Sequence, residues 1–320
     1  MTQPTPAPSP RPAPFHTVAV CSWSLRPHSP TDLVRSIRAT GISAVQLALD
    51  PIARGHWKED ETFRLLRQAG IRVVSAMLAP AGEDYSTLET IRASGGVRPD
   101  STWPANLRAA HQIADICARH AIRLCTLHAG HVPADNPERG VMLDRLKQMC
   151  MAFLARGVGI AFETGQESPD DQARILTDLH AALGPGRGSV GLNFDPANII
   201  LYGVGDPVAA LETLKAHVRQ VHIKDATRTT RPGTWGAEVR AGAGDVPWAT
   251  FLAVVHTANP AIDLVIEREA GEQRIADVRA ARTLLETALP GLIDSTPTPT
   301  AATTPTAPVS LPSTPSPSHA

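Results

Sequence analysis

Four stretches decide the fold: Gly159-Ile-Ala-Phe-Glu163, Val190-Gly-Leu-Asn-Phe-Asp195, Val218-Arg-Gln-Val-His222 and Leu264-Val-Ile-Glu267. Each is a short run, most of them rich in β-branched or aromatic residues, which suits a buried strand. Each closes on a potential metal ligand: Glu163, Asp195, His222 and Glu267. One strand ending in a carboxylate is common; four successive strands ending this way are not. In a closed parallel barrel all strand C-termini lie on one face, so these four side chains converge. Three carboxylates and one imidazole suit a divalent cation.

Working outward, the pattern alternates strand and helix. Strands are predicted over Thr17–Trp23, Ala44–Leu49, Arg72–Leu78, Ile122–Leu127, Gly159–Glu163, Ser189–Asp195, Val218–Lys224 and Asp263–Glu267. Ser29-Pro30, Ser168-Pro169 and Asp206-Pro207 read as helix N-caps followed by proline in the first turn. Gly41 and Gly70 end helices. Eight such units fit an α/β fold of the (β/α)8 TIM-barrel type, one domain over residues 15–294. A doubly wound open sheet is the rival, but it would carry a Gly-rich turn after strand one, where this chain has Cys21-Ser-Trp-Ser-Leu25. Residues 1–14 and 295–320 are Pro-, Thr- and Ser-rich and are expected to be disordered tails. Two connections, 79–102 and 225–246, are long enough to build or cover a pocket.

Composition narrows the partners. The chain has 320 residues, 42% of them hydrophobic, and a formal net charge of −1. No basic stripe marks a nucleic-acid partner. No apolar stretch approaches the roughly 20 residues that span a bilayer. The Pro-rich start lacks the apolar core of a secretory signal, so a cytoplasmic location is expected. Cys21, Cys117, Cys125 and Cys150 sit in apolar segments without close pairing and read as buried free thiols.

Further motifs carry a resemblance: Asn193-Phe-Asp-Pro-Ala-Asn198, Val221-His-Ile-Lys-Asp225, Gly242-Ala-Gly-Asp-Val-Pro-Trp248 and Ile266-Glu-Arg-Glu-Ala-Gly-Glu-Gln273. Together they resemble the sugar phosphate isomerase/epimerase group of the xylose isomerase-like TIM barrels, over about residues 17–289. That group contains ketose 3-epimerases, hydroxypyruvate isomerases and inosose dehydratases. The resemblance implies one metal held by Glu163, Asp195, His222 and Glu267. It also implies that Glu163 and Glu267 act as catalytic carboxylates, moving a proton at the carbon beside the substrate ketone. A cation on the carbonyl oxygen would stabilise the developing enediolate. The ligand set favours Mn²⁺, with Mg²⁺ or Co²⁺ as alternatives.

Arg228, Asn198, His128, Lys224 and Trp23 are the expected substrate contacts. Asn198 departs from the family, many members of which place a His there; an Asn can hydrogen-bond a hydroxyl but does not titrate. His131, Gln166, Glu167 and Trp235 are weaker candidates. His56, His111, His120, His180, His217 and His256 read as surface residues. The expected partner is a small carbohydrate, with no nucleic acid and no membrane, and a homo-oligomer is compatible with the sequence. The leading function is a metal-dependent isomerase or epimerase of a keto sugar or polyol. An inosose-type dehydratase is the nearest alternative, separated by loss of water from the product. An apurinic endonuclease-like enzyme would need additional histidines, which Asn198 and Asp225-Ala-Thr-Arg228 do not supply. A non-catalytic sugar-binding barrel would have no need for two carboxylates on a metal.

Overall fold

The computed structural model describes residues 15–134, 137–185 and 189–294. The tail expectation therefore lies outside the described residues. Eight parallel strands form the centre: β1 (His16–Cys21), β2 (Ala44–Ala48), β3 (Arg72–Met77), β4 (Leu124–Leu127), β5 (Gly159–Glu163), β6 (Val190–Phe194), β7 (Val218–Ile223) and, after an intervening hairpin, β10 (Leu264–Ile266). The hairpin pairs β8 (Asp225–Thr227) with β9 (Ala237–Val239), antiparallel. Each barrel strand pairs with the next, and β10 pairs with β1 through Val18 against Leu264 and Val20 against Ile266. That pairing closes the barrel and excludes the open sheet. A short β11 (Ile293–Asp294) pairs with the first two residues of β1.

Helices α1 (Pro30–Thr40), α2 (Asp50–Ala53), α3 (Glu59–Gln68), α4 (Leu88–Ser94), α5 (Trp103–Arg119), α6 (Pro137–Leu154), α7 (Pro169–Leu183), α8 (Pro196–Leu201), α9 (Pro207–Leu214), α10 (Trp248–Ala258) and α11 (Arg274–Ala288) follow the strands. The expected caps form. Ser29, Ser168 and Asp206 accept backbone N–H groups of the first turn, each with proline at its start. Gly41 closes α1 in the left-handed region.

Strand alternation places the site. Val190, Leu192 and Phe194 of β6, Val221 and Ile223 of β7, and Leu264 and Ile266 of β10 join the apolar layer beneath the helices. The opposite phase points into the barrel and carries Glu163, Asn193, Asp195, His222 and Glu267. A chain of buried polar groups fills the interior: Gln46 Nε2 donates to Thr126 Oγ1 at 2.8 Å, and Gln220 Nε2 to Asn193 Oδ1 at 3.3 Å.

Several boundaries differ from expectation. Trp23 leaves the strand and opens a 3-10 turn over Trp23–Leu25, closed by Arg26 N–H donating to the Trp23 carbonyl. Ile122 stays outside β4 because its N–H still closes the end of α5 on Cys117 O. The connection 79–102 contains α4, with a Thr87–Thr90 capping box.

Candidate active site

Ligand-type atoms of Glu163, Asp195, His222 and Glu267 all lie within 4.8 Å of one another, and all four residues are buried. Asp195 divides its carboxylate. Its Oδ1 caps α8, accepting from Ala197 N at 2.7 Å and Asn198 N at 3.2 Å. Its Oδ2 is buried without a hydrogen bond. The Asp-Pro pair is thus the same capping device as Asp206-Pro207, with one oxygen left over.

His222 shows the same division. Nε2 lies 2.8 Å from Gln46 Oε1, and the Gln46 amide nitrogen is occupied by Thr126. Asn193 Nδ2 is also close, at 2.9 Å. Nδ1 has no hydrogen bond and faces Glu267 Oε2 at 3.3 Å and Glu163 Oε1 at 3.6 Å. A buried carboxylate oxygen and a buried imidazole nitrogen, both without a hydrogen bond and set in a cluster of oxygens, are what a divalent cation needs. These residues fit such an ion.

The electrostatics agree. Burial pushes the Asp195 carboxyl up to about 7, with Glu267 and Glu163 adding to the rise and Lys224 opposing it. Burial also works against a charge on Glu267, but Lys224 and His222 outweigh it and hold its pKa down at about 2. Lys224 donates to Glu267 Oε2 at 2.9 Å and to Glu269 Oε2 at 2.6 Å, and its Nζ sits 3.6 Å from Asp195 Oδ2.

Two neighbours hold the Glu163 carboxylate. Asn198 Nδ2 donates to Glu163 Oε1 at 3.0 Å, so the family departure still touches the site. His128 Nε2 lies 3.5 Å from Glu163 Oε2. On its other side, His128 Nδ1 meets Tyr85 Oη at 2.6 Å and Glu83 Oε2 at 3.4 Å. Burial opposes a charge on His128, yet Tyr85, Glu83 and Glu163 hold its pKa well above the ordinary value. The loops carrying Glu83 and His128 touch backbone to backbone. A Cβ on Gly96 would lie 2.2 Å from the Ala129 carbonyl carbon, so only glycine fits. Gly96 N–H in turn donates to Glu83 Oε1 at 2.9 Å.

Beside the ligand cluster opens a cavity of about 560 Å³. Trp23, His128, Asn198, Lys224 and Trp235, candidates from the sequence, line it; so do Asp50, Glu83, Tyr85, Tyr202, Glu238 and Glu269, which the sequence did not single out. Trp235 packs on Tyr202 with ring centroids 4.9 Å apart.

Arg228 is not brought to this cavity. Asp245 Oδ2 accepts its backbone N–H at 2.7 Å, and the guanidinium turns outward to Gly205 O at 2.9 Å. Lys224, still in the inward phase of β7, takes the cavity position. Next to it, Asp225 folds the loop instead. Its carboxylate accepts from the amides of Ala226, Gly242, Gly244 and Val246 and from the Trp248 indole. A Cβ on Gly244 would lie 2.2 Å from Asp225 Oδ1, which explains that glycine. His131 and Glu167 pair at 3.1 Å, and Gln166 donates to Leu88 O, so these three brace loops. Of the histidines read as surface residues, His120, His180, His217 and His256 are half-buried; His120 stacks on Phe63 with centroids 3.5 Å apart.

A family model described as xylose isomerase-like TIM barrel matches residues 34–288. The chain belongs to that family. Among solved structures, this xylose isomerase-like barrel is similar to a xylose isomerase domain protein from Planctomyces limnophilus, with 26% identity and a TM-score of 0.75 over 86% of this chain and 97% of that one. It shares its fold with a xylose isomerase-like TIM barrel protein from Mycobacterium smegmatis in complex with magnesium, at 14% identity, TM-score 0.65, over 86% and 96% of the two chains. It likewise shares its fold with D-allulose 3-epimerase from Methylomonas sp. in complex with D-allulose, at 13% identity, TM-score 0.64, over 86% and 98%. A curated relative, the uncharacterized protein YihM of Escherichia coli (strain K12), is 42% identical over 65 residues, 20% of each protein. The match thus spans a fifth of that relative's length.

Proposed function

We propose that this barrel is a divalent-metal-dependent isomerase or epimerase that moves a proton at the carbon beside the ketone of a keto sugar or related polyol. One observation carries the reading: Asp195 Oδ2 and His222 Nδ1, buried without a hydrogen bond inside the carboxylate cluster. Glu163, Asp195, His222 and Glu267 would hold the ion, with Mn²⁺ favoured over Mg²⁺ or Co²⁺. A bound divalent cation supplies Lewis-acid polarisation of the substrate carbonyl.

The protein's own groups do the rest. Glu163 takes or gives the proton on one side, oriented by Asn198 and His128. Glu267 does so on the other, held by Trp23 at 2.8 Å and by Lys224. Trp23 and Lys224 also wall the substrate space. The D-allulose bound by one structural neighbour supports a carbohydrate ligand. The four cysteines are free and buried, which fits a reducing cytoplasm. No helix among the described residues is long and apolar enough to cross a membrane.

Glu163→Gln and Glu267→Gln test the mechanism, because each keeps shape and one ligand oxygen but removes a base. Turnover on a Mn²⁺-supplemented ketose panel should fall about 10²–10⁴-fold in each. Solvent deuterium should mark the exchanged carbon, and product mass should equal substrate mass. Near-normal turnover in both variants would reduce the glutamates to ligands, and a product lighter by one water would make the enzyme a dehydratase.

A further inference from the structure

Among the described residues, five carboxylates line the cavity, those of Asp50, Glu83, Glu163, Glu238 and Glu269, against one lysine, one histidine and no arginine. A bound cation offsets Glu163 and its fellow ligands but not the other four. The lysine and the histidine are engaged: Lys224 holds Glu267 and Glu269, and His128 lies between Glu83 and Glu163. Arg228, the guanidinium expected here, turns outward to Gly205 O.

(β/α)8 barrels frequently hold a phosphate on the loops after the last two strands. Donors for an anion exist there in this chain, and they are taken. Glu238, from the β8–β9 hairpin, accepts at Oε1 from Arg268 Nη1 at 2.6 Å, Glu269 N at 2.8 Å and Ala270 N at 3.1 Å, and at Oε2 from Ala270 N at 3.1 Å. A guanidinium beside two successive amides is an anion nest, filled here by the chain's own carboxylate. After β2, Asp50 faces the same space with one oxygen on Ala79 N at 3.0 Å and the other 3.7 Å from the exposed Arg54. A negative substituent brought in would meet carboxylates without a cation to pair with.

Resting on the keto-sugar reading above, we infer that the site takes an uncharged ketose and rejects its phosphate ester. Glu238 is the specificity-determining residue, because it occupies the donors that would otherwise receive the phosphate. Asp50 adds repulsion for an anion and offers an acceptor to a hydroxyl, which the free sugar supplies.

Calorimetric titration of the Mn²⁺-loaded full-length protein compares D-fructose, D-tagatose, D-ribulose and D-xylulose, each against its own terminal phosphate ester. At least one free ketose should bind, about 100-fold or more tighter than its phosphate. Glu238→Ala vacates the donors and should narrow that gap at least about tenfold, by a gain in phosphate-ester affinity rather than a loss for the free sugar. Asp50→Asn keeps an acceptor for Ala79 N and should narrow the gap about three- to tenfold. It carries the test if Glu238→Ala does not fold. A phosphate ester that binds the parent as tightly as its free ketose, or a gap unchanged in the folded variants, overturns the inference and leaves the ketose reading standing. No binding by either member of any pair removes both. The metal reading is separated by repeating the titrations on metal-free protein, where the gap should persist because neither Glu238 nor Asp50 is a ligand of the ion.

Discussion

The indole Nε1 of Trp23 donates to Oε1 of Glu267 across 2.8 Å. It joins the exit of β1 to the carboxylate that follows β10, where the barrel closes. Both Glu267 oxygens are thereby occupied, one by the indole and one by Lys224. Trp23→Phe keeps most of the ring and removes the donor. It should cost about 1 kcal/mol of stability and lower turnover several-fold more than it raises KM. Unchanged kinetics would show that Lys224 alone orients Glu267.

Metal loading is the second expectation. The purified protein should take up about one divalent cation, and Asp195→Ala or His222→Ala should abolish tight binding. The melting temperature of the parent should rise with added Mn²⁺ by mass action. Elemental analysis showing equal occupancy in parent and both variants would remove the assignment.

Gln46 should matter although it touches no ligand atom of the cation. Its Oε1 beside His222 Nε2 favours the tautomer that leaves Nδ1 free. Gln46→Leu should weaken metal affinity about 10–100-fold with little change in fold. Competition against a chelator measures it; unaltered affinity would show that Gln46 does not set the tautomer of His222.

The convergence of Glu163, Asp195, His222 and Glu267 was legible in the sequence because each closes an apolar run in the inward phase, and a barrel leaves such residues one destination. Gln46 and Asn193 were not: a polar residue inside an apolar run reads as a weaker strand, not as a support for His222 on a different strand. Arg228 illustrates a different limit. Spacing from His222 placed it near the cavity, but its direction is set by the β8–β9 hairpin and by Asp245, contacts that spacing does not encode. Glu83, Tyr85 and Glu269 lie on loops, and Glu238 in the β8–β9 hairpin, whose course depends on hydrogen bonds between residues distant in sequence, so nothing local marked them.

Asp225→Ala should destabilise strongly. It strands four amides and an indole N–H that share one carboxylate. A loss of about 3 kcal/mol or more is expected, read as a lower urea midpoint. A shift below about 1 kcal/mol would mean water replaces the carboxylate.

His16 sets a pH dependence at the opposite end of the barrel. It is buried against Ile262 O at 2.9 Å and His256 Nδ1 at 3.0 Å. Burial pulls its pKa below the ordinary value, with His256 adding to the drop and the Ile262 carbonyl opposing it. The unfolded chain takes up a proton near pH 6.5 that the folded barrel binds less readily. Stability should therefore be complete above about pH 6.5 and fall as the pH drops below it. His16→Asn should flatten that slope; an unchanged slope would place its origin elsewhere.

The backbone contact at Gly96 binds the loops after β3 and β4 into a single piece. Neither can lengthen, shorten or tilt without the other, and together they carry Tyr85, Glu83 and His128. An engineer seeking a new substrate range would therefore have to exchange both loops as one cassette. Divergence in nature faces the same linkage, so this wall of the cavity should change by paired replacement.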